Sequence, residues 1–376
     1  MPAGGWRYLA TRLNGNGTET FLSNDVPLLG AQLREDLSGP GGITGTITPE
    51  IARLRSSAGE PLFMPWSTAV YAEKDGNIRA GAILADMEET GPDLSLDCVG
   101  FTGYLQGQPY TGDISRVQVD PLEMARHLWA HQQGKRGGNL GLVMDSTTSP
   151  VRVGTPARDV NFTTGAGEEV SFQAGPYTLQ WWKDHDMGKA FDDLATETPF
   201  DYLVAHTWTG ETISHRLRLG YPTIGRRRHD LRFQVGENIF AFPPILYDGD
   251  DYASDVVVLG AGEGRTMIRG EGSKPTGRLR RTAVVTDKTL RSKQSANSAA
   301  ARELAARLGN EDIDTLTALD HPHAPVGSYA PGDEILIRSR GGWTTDVELW
   351  VRVLAIVIEP EKNHATLTVA RTEKLG

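Results

Sequence analysis

The sequence contains a single cysteine, Cys98, among 376 residues. One cysteine excludes an intrachain disulfide and any metal site built on several thiolates. No apolar run approaches the roughly 18 residues of a membrane-spanning helix, and the N-terminal residues lack the apolar core of a signal peptide. Lys and Arg number 38 against 48 Asp and Glu, a formal net charge of −10. We therefore expect synthesis in a cytoplasm, no membrane insertion and no specific nucleic-acid binding, which requires cations that neutralise phosphates.

Short motifs of common enzyme classes are also absent. The sequence has no G-x-S-x-G, S-x-x-K, P-loop or H-E-x-x-H, and these patterns carry the nucleophiles, phosphate loops and metal ligands of large enzyme families. These motifs therefore identify no catalytic residue. A catalytic pair of carboxylates among the 48 Asp and Glu is not excluded by the sequence. Glycoside hydrolysis needs only two carboxyl groups that the fold brings together.

A glycine cluster in VVVLGAGEGR, residues 256–265, resembles the start of a dinucleotide-binding fold. That fingerprint is G-x-G-x-x-G, and its third glycine opens a helix. Here Arg265 stands at the third glycine position, and the next residues, rich in glycine and with a proline, show no helical period. The segment instead predicts a β-hairpin over 256–268, with Val256–Val258 on one arm and Met267–Ile268 on the other. We expect no NAD, FAD or other nucleotide cofactor.

Histidines occur at spacings that could serve a metal, but without complete ligand sets. His127 and His131 are four residues apart in a predicted helix, yet Leu128 occupies the place of the glutamate that zinc peptidases use as a base. We expect these two histidines on a solvated face. Two loops carry further candidates: Asp320, His321 and His323 in one, and Asp184, His185 and Asp186 in the other. Neither loop has another His or Cys nearby, so we predict no dedicated metal site, and a stray surface cation stays open.

Other reactive or charged residues have simpler interpretations. Cys98 alternates in phase with Leu94 and Leu96, which predicts a buried, unreactive thiol. Trp129 and the pair Trp181–Trp182 lie beside helix signals, which favours burial in a core or an interface. Two basic runs favour a protein interface over a phosphate site: Arg226, Arg227 and Arg228 in one, and Arg278, Arg280 and Arg281 in the other.

What the chain does have is glycine and proline, 43 and 21 residues. This composition is typical of a loop-rich β protein, and the length predicts two to four domains. Residues 1–105 alternate in short apolar runs, and Asp75-Gly76 between two such runs predicts a hairpin. The spacing of these runs favours a small barrel or sandwich.

Helical patterns interrupt the strands at three places. The first helix spans 120–134, where Asp120 can cap and Pro121 fits the first turn. The second follows Asp186 and stops at Pro199, and the third covers 295–308 and ends at Gly309. The fold class predicted is mainly β with an α+β insertion. The domains are 1–105, 106–212 and 246–376, with completion of the first by strands from 213–245 left open.

The order of motifs carries more information than each motif alone. It runs ITGTITPEIARL, LFMPWSTAVYAEKDGNIRAGAIL, LSLDCVGFTGYLQG, GKAFDDLATETPFDYLV, VVVLGAGEGR and YAPGDEILIR. This order resembles the minor tail proteins of long-tailed actinobacteriophages, which look like the tail-hub or baseplate-hub proteins of tailed phages. The resemblance covers about residues 20–372.

The resemblance implies a homotrimeric ring at the tail tip of a virion. Some hub proteins carry a lysin domain, and this sequence has no room for a recognisable one, so we expect no enzymatic activity. Residues 1–105 and 246–376 would each form a β-barrel hub domain, and 106–212 an inserted α/β domain. Three chains would then present six similar barrels to a six-fold tail and surround the channel for DNA and tape-measure protein. Partners would be the distal tail protein, the tape measure and tip fibres. The alternative is a tail-associated cell-wall hydrolase or carbohydrate-binding receptor module, since exposed aromatic faces stack on sugars.

Overall fold

The structure is a computed structural model. It describes residues 5–55, 59–163, 169–183, 185–198, 200–241, 243, 246–247, 249–262, 264, 267–287, 290, 292–308, 311–340 and 346–372. The strands of the first half are β1 Trp6–Leu13, β2 Glu19–Ser23, β3 Leu29–Asp36, β4 Gly42–Ile47, β5 Thr68–Lys74, β6 Asn77–Thr90, β7 Asp93–Gly100, β8 Asp113–Arg116, β9 Leu142–Met144, β10 Arg158–Thr163, β11 Glu169–Ala174 and β12 Tyr177–Gln180.

The second half is similarly rich in strands. These are β13 Asp201–Thr209, β14 Thr212–Gly220, β15 Phe233–Gln234, β16 Leu246–Tyr247, β17 Asp255–Leu259, β18 Arg269–Ser273, β19 Thr282–Thr286, β20 Glu311–Asp312, β21 Thr315–Leu319, β22 Glu334–Ser339, β23 Val347–Glu359 and β24 His364–Arg371. The α-helices are α1 Pro49–Ala52, α2 Pro121–Gln133, α3 Met187–Glu197 and α4 Lys293–Leu308. Across the described part of the chain, no helix is both long and apolar enough to cross a bilayer.

A twelve-stranded sheet joins the two ends of the chain. Its main path runs β15-β22-β23-β3-β4-β7-β6-β5-β1-β2, and β24 and β21 extend from β23. The junction is the antiparallel pair β3–β23, with Leu33 opposite Ile358 and Asp36 opposite Ala355. One continuous apolar core, which includes Leu33 and Ile358, lies on this sheet. Strands from the first 105 and the last 131 residues therefore share both hydrogen bonds and core.

The hairpin predicted at Asp75-Gly76 is confirmed. Strands β5 and β6 pair with Lys74 opposite Asn77, so two residues form the turn. Asp75 and Gly76 have φ values of 52° and 79°. Two successive positive φ angles match the right-handed twist of the strands, and glycine adopts them without a steric penalty.

A second layer, from the middle of the chain, packs on the other face of this sheet. It contains α2, α3 and the sheet β13-β14-β9, and its core includes Leu128, Trp129 and Phe191 together with Tyr71 of β5. The helices predicted at 120–134 and after Asp186 are confirmed, and both begin at a capping aspartate. Asp120 accepts from the backbone N–H of Leu122 at 3.0 Å. Pro199, predicted to stop α3, lies outside the described residues.

A third unit contains the glycine-cluster hairpin. Strand β17 pairs antiparallel with β18, and Gly260 donates to the carbonyl of Ile268 at 2.7 Å. The predicted hairpin is therefore confirmed, although its second strand begins at Arg269, two residues after the predicted start at Met267. The sequence interpretation missed that β19 pairs in parallel with β17 and that α4 packs on the sheet. Arg265, and Gly309 after α4, lie outside the described residues.

The predicted mainly β fold class with additional helices is confirmed, but closed barrels are not seen. Among the described strands, β2 and β15 end the main path of the large sheet, so its pairing does not close on itself. From the 213–245 segment, β14 joins the second layer and β15 pairs with β22 instead of completing the first segment. The limits of the three domains stay a prediction.

Candidate functional site

A cleft of about 370 Å³ lies where the large sheet, the β13–β14 hairpin and a loop near the C-terminal strands meet. Its walls come from β3, β6 and β13 and from residues 327–331. Two hydrogen bonds hold β13 against the β3–β4 turn: Ser38 N donates to the carbonyl of Tyr202 at 3.0 Å, and Tyr202 N donates to Oγ of Ser38 at 3.2 Å. An ion pair between Arg352 and Asp201 adds a second tie. The cleft is therefore formed by the docking of the inserted layer on the sheet.

Polar side chains gather in this cleft around Glu35. Burial raises the pKa of Glu35 to about 7, and the positive charge of Arg79 offsets part of that rise. Arg79 donates from Nη1 to the carbonyl of Gly327 at 2.7 Å. Among the described residues, the buried Nε of Arg79 and the hydroxyl of Tyr329 have no hydrogen-bond partner. A carboxyl that holds its proton near neutral pH can donate a hydrogen bond or act as a general acid.

A buried polar network fixes the β13–β14 hairpin above strands β1, β2 and β5. Nδ1 of His206 faces Nδ1 of His215 at 2.8 Å, and Nε2 of His215 contacts Glu19 at 2.9 Å. Glu19 also accepts from the hydroxyl of Tyr71 at 2.6 Å. Burial lowers the pKa of His206 well below its usual value, and the nearby His215 lowers it further. The network packs the two layers together, and its His206 also lines the cleft.

His127 and His131 lie on one face of α2, as predicted, but they are not simply solvated. Nε2 of His127 is 2.9 Å from the hydroxyl of Tyr110, and Nε2 of His131 is 3.0 Å from the hydroxyl of Thr111. Burial is the main cause that lowers the pKa of both histidines. That these two histidines bind no zinc stays a prediction.

The loop with Asp320, His321 and His323 meets a residue that sequence reasoning missed. Glu237, in the turn after β15, accepts from Nδ1 of His323 at 2.6 Å. Asp320 points elsewhere: its carboxylate pairs with Lys74 of β5. Glu237 stands far from the histidines in the sequence, and nothing in its local pattern marks it as a ligand.

Residues 185 and 186 of the other candidate loop make hydrogen bonds that stabilise the fold. The carbonyl of His185 accepts from Tyr110 N at 2.8 Å. Asp186 caps α3 by accepting from Gly188 N at 2.8 Å. Asp184 lies outside the described residues.

The predicted burial of Cys98 is confirmed. Only 2% of the residue is exposed, and it stands opposite Ile43 of β4. Burial raises the pKa of the thiol to about 12, and Asp97 adds to the rise. A thiol in this environment is neither ionised nor accessible.

Some of the arginines and tryptophans singled out in the sequence are buried, and others are exposed. Arg228 is buried and pairs with Asp230 at 2.7 Å and Asp333 at 3.1 Å, so it serves the fold of the chain itself. Arg280 is exposed and pairs with Asp255 at 3.1 Å, and an interface role for the second run stays a prediction. Trp129 is buried in the core as predicted, whereas Trp181 and Trp182 lie on the surface.

Comparisons with known proteins place this architecture among phage tail proteins. No protein-family model and no curated protein sequence matches the chain. Three solved structures match it, and each match covers 98% of this chain. The 43 kDa tail protein of prophage MuSo2 from Shewanella oneidensis has a TM-score of 0.53 at 10% identity, with 99% of that chain covered. A tail protein from Neisseria meningitidis MC58 has a TM-score of 0.50 at 14% identity with 96% of that chain covered, and prophage tail protein gp18 from Listeria monocytogenes EGD-e has a TM-score of 0.53 at 11% identity with 95% covered. At these identities the likeness concerns the fold. The chain therefore has the fold of these phage tail proteins.

Proposed function

We propose that this chain is a structural protein of a phage tail and forms a homotrimeric ring at the tail tip. The observation that carries the proposal is the extent of the fold likeness, which covers 98% of this chain and 95–99% of three tail proteins. The step from fold to role is an analogy. A shared complete architecture supports it better than one shared module does. Membership in the actinobacteriophage hub group belongs to the same proposal.

The surface of the single chain supports assembly. Leu279, Phe240 and Trp181 are 90%, 75% and 62% exposed, and large apolar side chains that face water often mark contact sites. Strands β2 and β15 end the main path of the sheet, and strand edges can pair with another chain. In a closed ring each subunit buries one face against the next, so no surface is left to continue growth.

The proposed position also fits the charge. A ring at the tip would join the six-fold tail to three-fold tip components and surround the channel for tape-measure protein and DNA. The net charge of −10 disfavours adhesion of DNA to the channel wall, because like charges repel. The partners would be a distal tail protein, the tape measure and tip fibres.

A reconstruction of assembled tails that contain this chain tests the proposal. We expect three copies around the channel at the tip. One, two or six copies, or a position along the tail tube, would contradict the trimeric ring.

A hydrolase or sugar-binding role is the second candidate, and two observations favour it. Glu35 lies in a cleft with its pKa raised to about 7, as a general acid requires. Trp181 and Trp182 form an exposed T-shaped pair with centroids 5.5 Å apart, a surface on which sugars can stack. Release of fragments from purified cell walls, lost in Glu35→Gln, would establish a hydrolase. Glycan-array binding lost in Trp181→Ala would establish a receptor module.

A further inference from the structure

Glu237, His321 and His323 form a cluster that the tail role does not use. Each offers one potential ligand atom, and these atoms lie within 4.8 Å of one another. In the described part of the chain, this is the one group of three or more His, Cys, Asp and Glu side chains close enough to share an ion. We propose that these three side chains bind a divalent transition-metal ion of the zinc type.

The donor set indicates the class of ion. Two imidazoles and one carboxylate suit zinc and its neighbours in the first transition row, whereas calcium and magnesium favour oxygen donors alone. Three protein ligands leave a fourth tetrahedral position for water or for a group from another molecule. Bonds of about 2.0–2.1 Å place tetrahedral ligand atoms roughly 3.3 Å apart, so small side-chain rotations bring the three atoms into range.

The backbone on both sides of the cluster is held in place. The buried Asn238 accepts from Gln234 N at 2.9 Å and donates to the carbonyl of Arg232 at 2.7 Å, which fixes the turn that carries Glu237. On the other side, Asp320 accepts from Val326 N at 2.9 Å and pairs with Lys74. Ligands on pre-formed turns lose little freedom when an ion binds.

The two turns also bond directly to each other. Arg232 N donates to the carbonyl of His323 at 3.1 Å, and Leu319 N donates to the carbonyl of Asn238 at 2.8 Å. These bonds use backbone atoms, so they survive when the histidine side chains are removed. The two turns that carry the ligands are therefore held close together without the ion.

A neighbouring arginine orients the carboxylate. Arg232 contacts the second oxygen of Glu237 at 2.8 Å, which leaves Oε1 directed at His323. Outer partners of this kind fix ligand orientation in metal sites. The ion would take the place of the proton between Nδ1 of His323 and Oε1 of Glu237, and the neutral imidazole would then carry its proton on Nε2.

Zinc binding by the full chain, purified without a histidine tag and stripped with EDTA, tests the proposal. We expect one zinc per chain by calorimetry and by elemental analysis after dialysis. His323→Ala and Glu237→Gln should each weaken binding at least about tenfold, and His321→Ala/His323→Ala should abolish it. Cobalt in place of zinc should give visible absorption bands of a low-coordinate site, and these bands should vanish in the double variant.

The matched control is His127→Ala/His131→Ala, which removes a pair of partly exposed histidines on α2. It should bind zinc as the unchanged chain does, since those imidazoles contact Tyr110 and Thr111. Melting curves in EDTA should show that all variants fold. The proposal is overturned if the unchanged chain retains no zinc, if the double variant at 321 and 323 retains it, or if the control loses it. The copy number at the tail tip is a separate measurement, so either proposal can fail alone.

Discussion

At the scale of single residues, burial controls the chemistry of this chain. Cys98 and His206 are buried and Glu35 is partly buried in the cleft, and in each case desolvation is the largest cause that shifts the pKa toward the neutral form. None of the three is an exposed nucleophile or base. Their ionisation instead couples to folding, and that coupling can be measured.

Cys98 should react slowly with thiol reagents in the native protein. Its pKa of about 12 leaves almost no thiolate at neutral pH, and burial of the side chain in the apolar core blocks access. We expect native labelling to be at least about a hundredfold slower than labelling in denaturant, where the thiol returns to its usual pKa. Equal rates in the two conditions would show that the residue is exposed.

Glu35→Gln should stabilise the protein at pH 8. The folded pKa of about 7 lies above the unfolded value near 4.5, so the folded state binds the proton more tightly and loses stability as pH rises from 4.5 through 7. The amide removes that loss. We expect a gain of about 1–2 kcal/mol, below the full value of the pKa difference because the residue is only partly buried.

Urea denaturation at pH 8 and pH 4.5 measures this effect. The gain should shrink toward zero at pH 4.5, where the carboxyl of the folded protein is already protonated. The exposed Glu89 provides the control, and Glu89→Gln should change stability little at either pH. A destabilised Glu35→Gln at pH 8 would mean that the charged carboxylate contributes to the fold.

At the scale of elements, close backbone approach explains details that hydrophobic patterns do not. Helix α4 lies directly on β18, and a Cβ on Gly270 would come within 2.2 Å of the backbone of Ala296. Ala299 and Ala300 of α4 lie in the same apolar cluster, and on the strand side a Cβ on Gly272 would come within 3.0 Å of the carbonyl of Ala300. Two glycines that look like turn signals in the sequence, Gly270 and Gly272, therefore lie inside a strand.

Gly270→Ala should separate α4 from its sheet. The added methyl group overlaps backbone rather than a movable side-chain end, and such overpacking typically costs about 1–3 kcal/mol. Amide hydrogen exchange should accelerate in α4 and β17 and stay unchanged in the large sheet. Gly175→Ala is the control, because nothing lies within 4 Å of its added Cβ. Equal protection in the two variants would contradict the packing described here.

At the scale of the whole molecule, the β3–β23 pairing unites distant parts of the chain. The strands of residues 6–100 and 315–371 share one sheet and one apolar core. Arg352 of β23 also pairs with Asp201 at the start of β13, which ties the inserted layer to the same junction. Both ends of the chain and the middle layer are therefore held together at one junction.

Expressed alone, residues 1–105 should not unfold cooperatively. Without β23, the edge of β3 is unpaired and Leu33 loses the apolar side chains of the C-terminal strands. We expect the fragment to aggregate or to melt without a sharp transition, whereas the full chain melts sharply. Calorimetry of both proteins measures the difference. A sharp transition of the fragment would support the sequence-based domain limits as independent folding units.

The amino-acid sequence by itself determined the local structure of this protein. The Asp75-Gly76 hairpin, the starts of α2 and α3 at Asp120 and Asp186, and the burial of Cys98 all follow from periodicity, capping and turn chemistry. These are properties of neighbouring residues, so a single sequence is enough to predict them. The order of such segments also carried the resemblance to tail proteins.

Only the tertiary structure decided which distant segments meet. It paired β3 with β23, placed β19 beside β17 and brought Glu237 to His321 and His323. Each of these contacts joins residues whose local patterns are compatible with many partners, and the choice among partners depends on packing of the whole core. The candidate metal site was therefore invisible to spacing rules: its histidines are visible in the sequence, but its carboxylate comes from another turn.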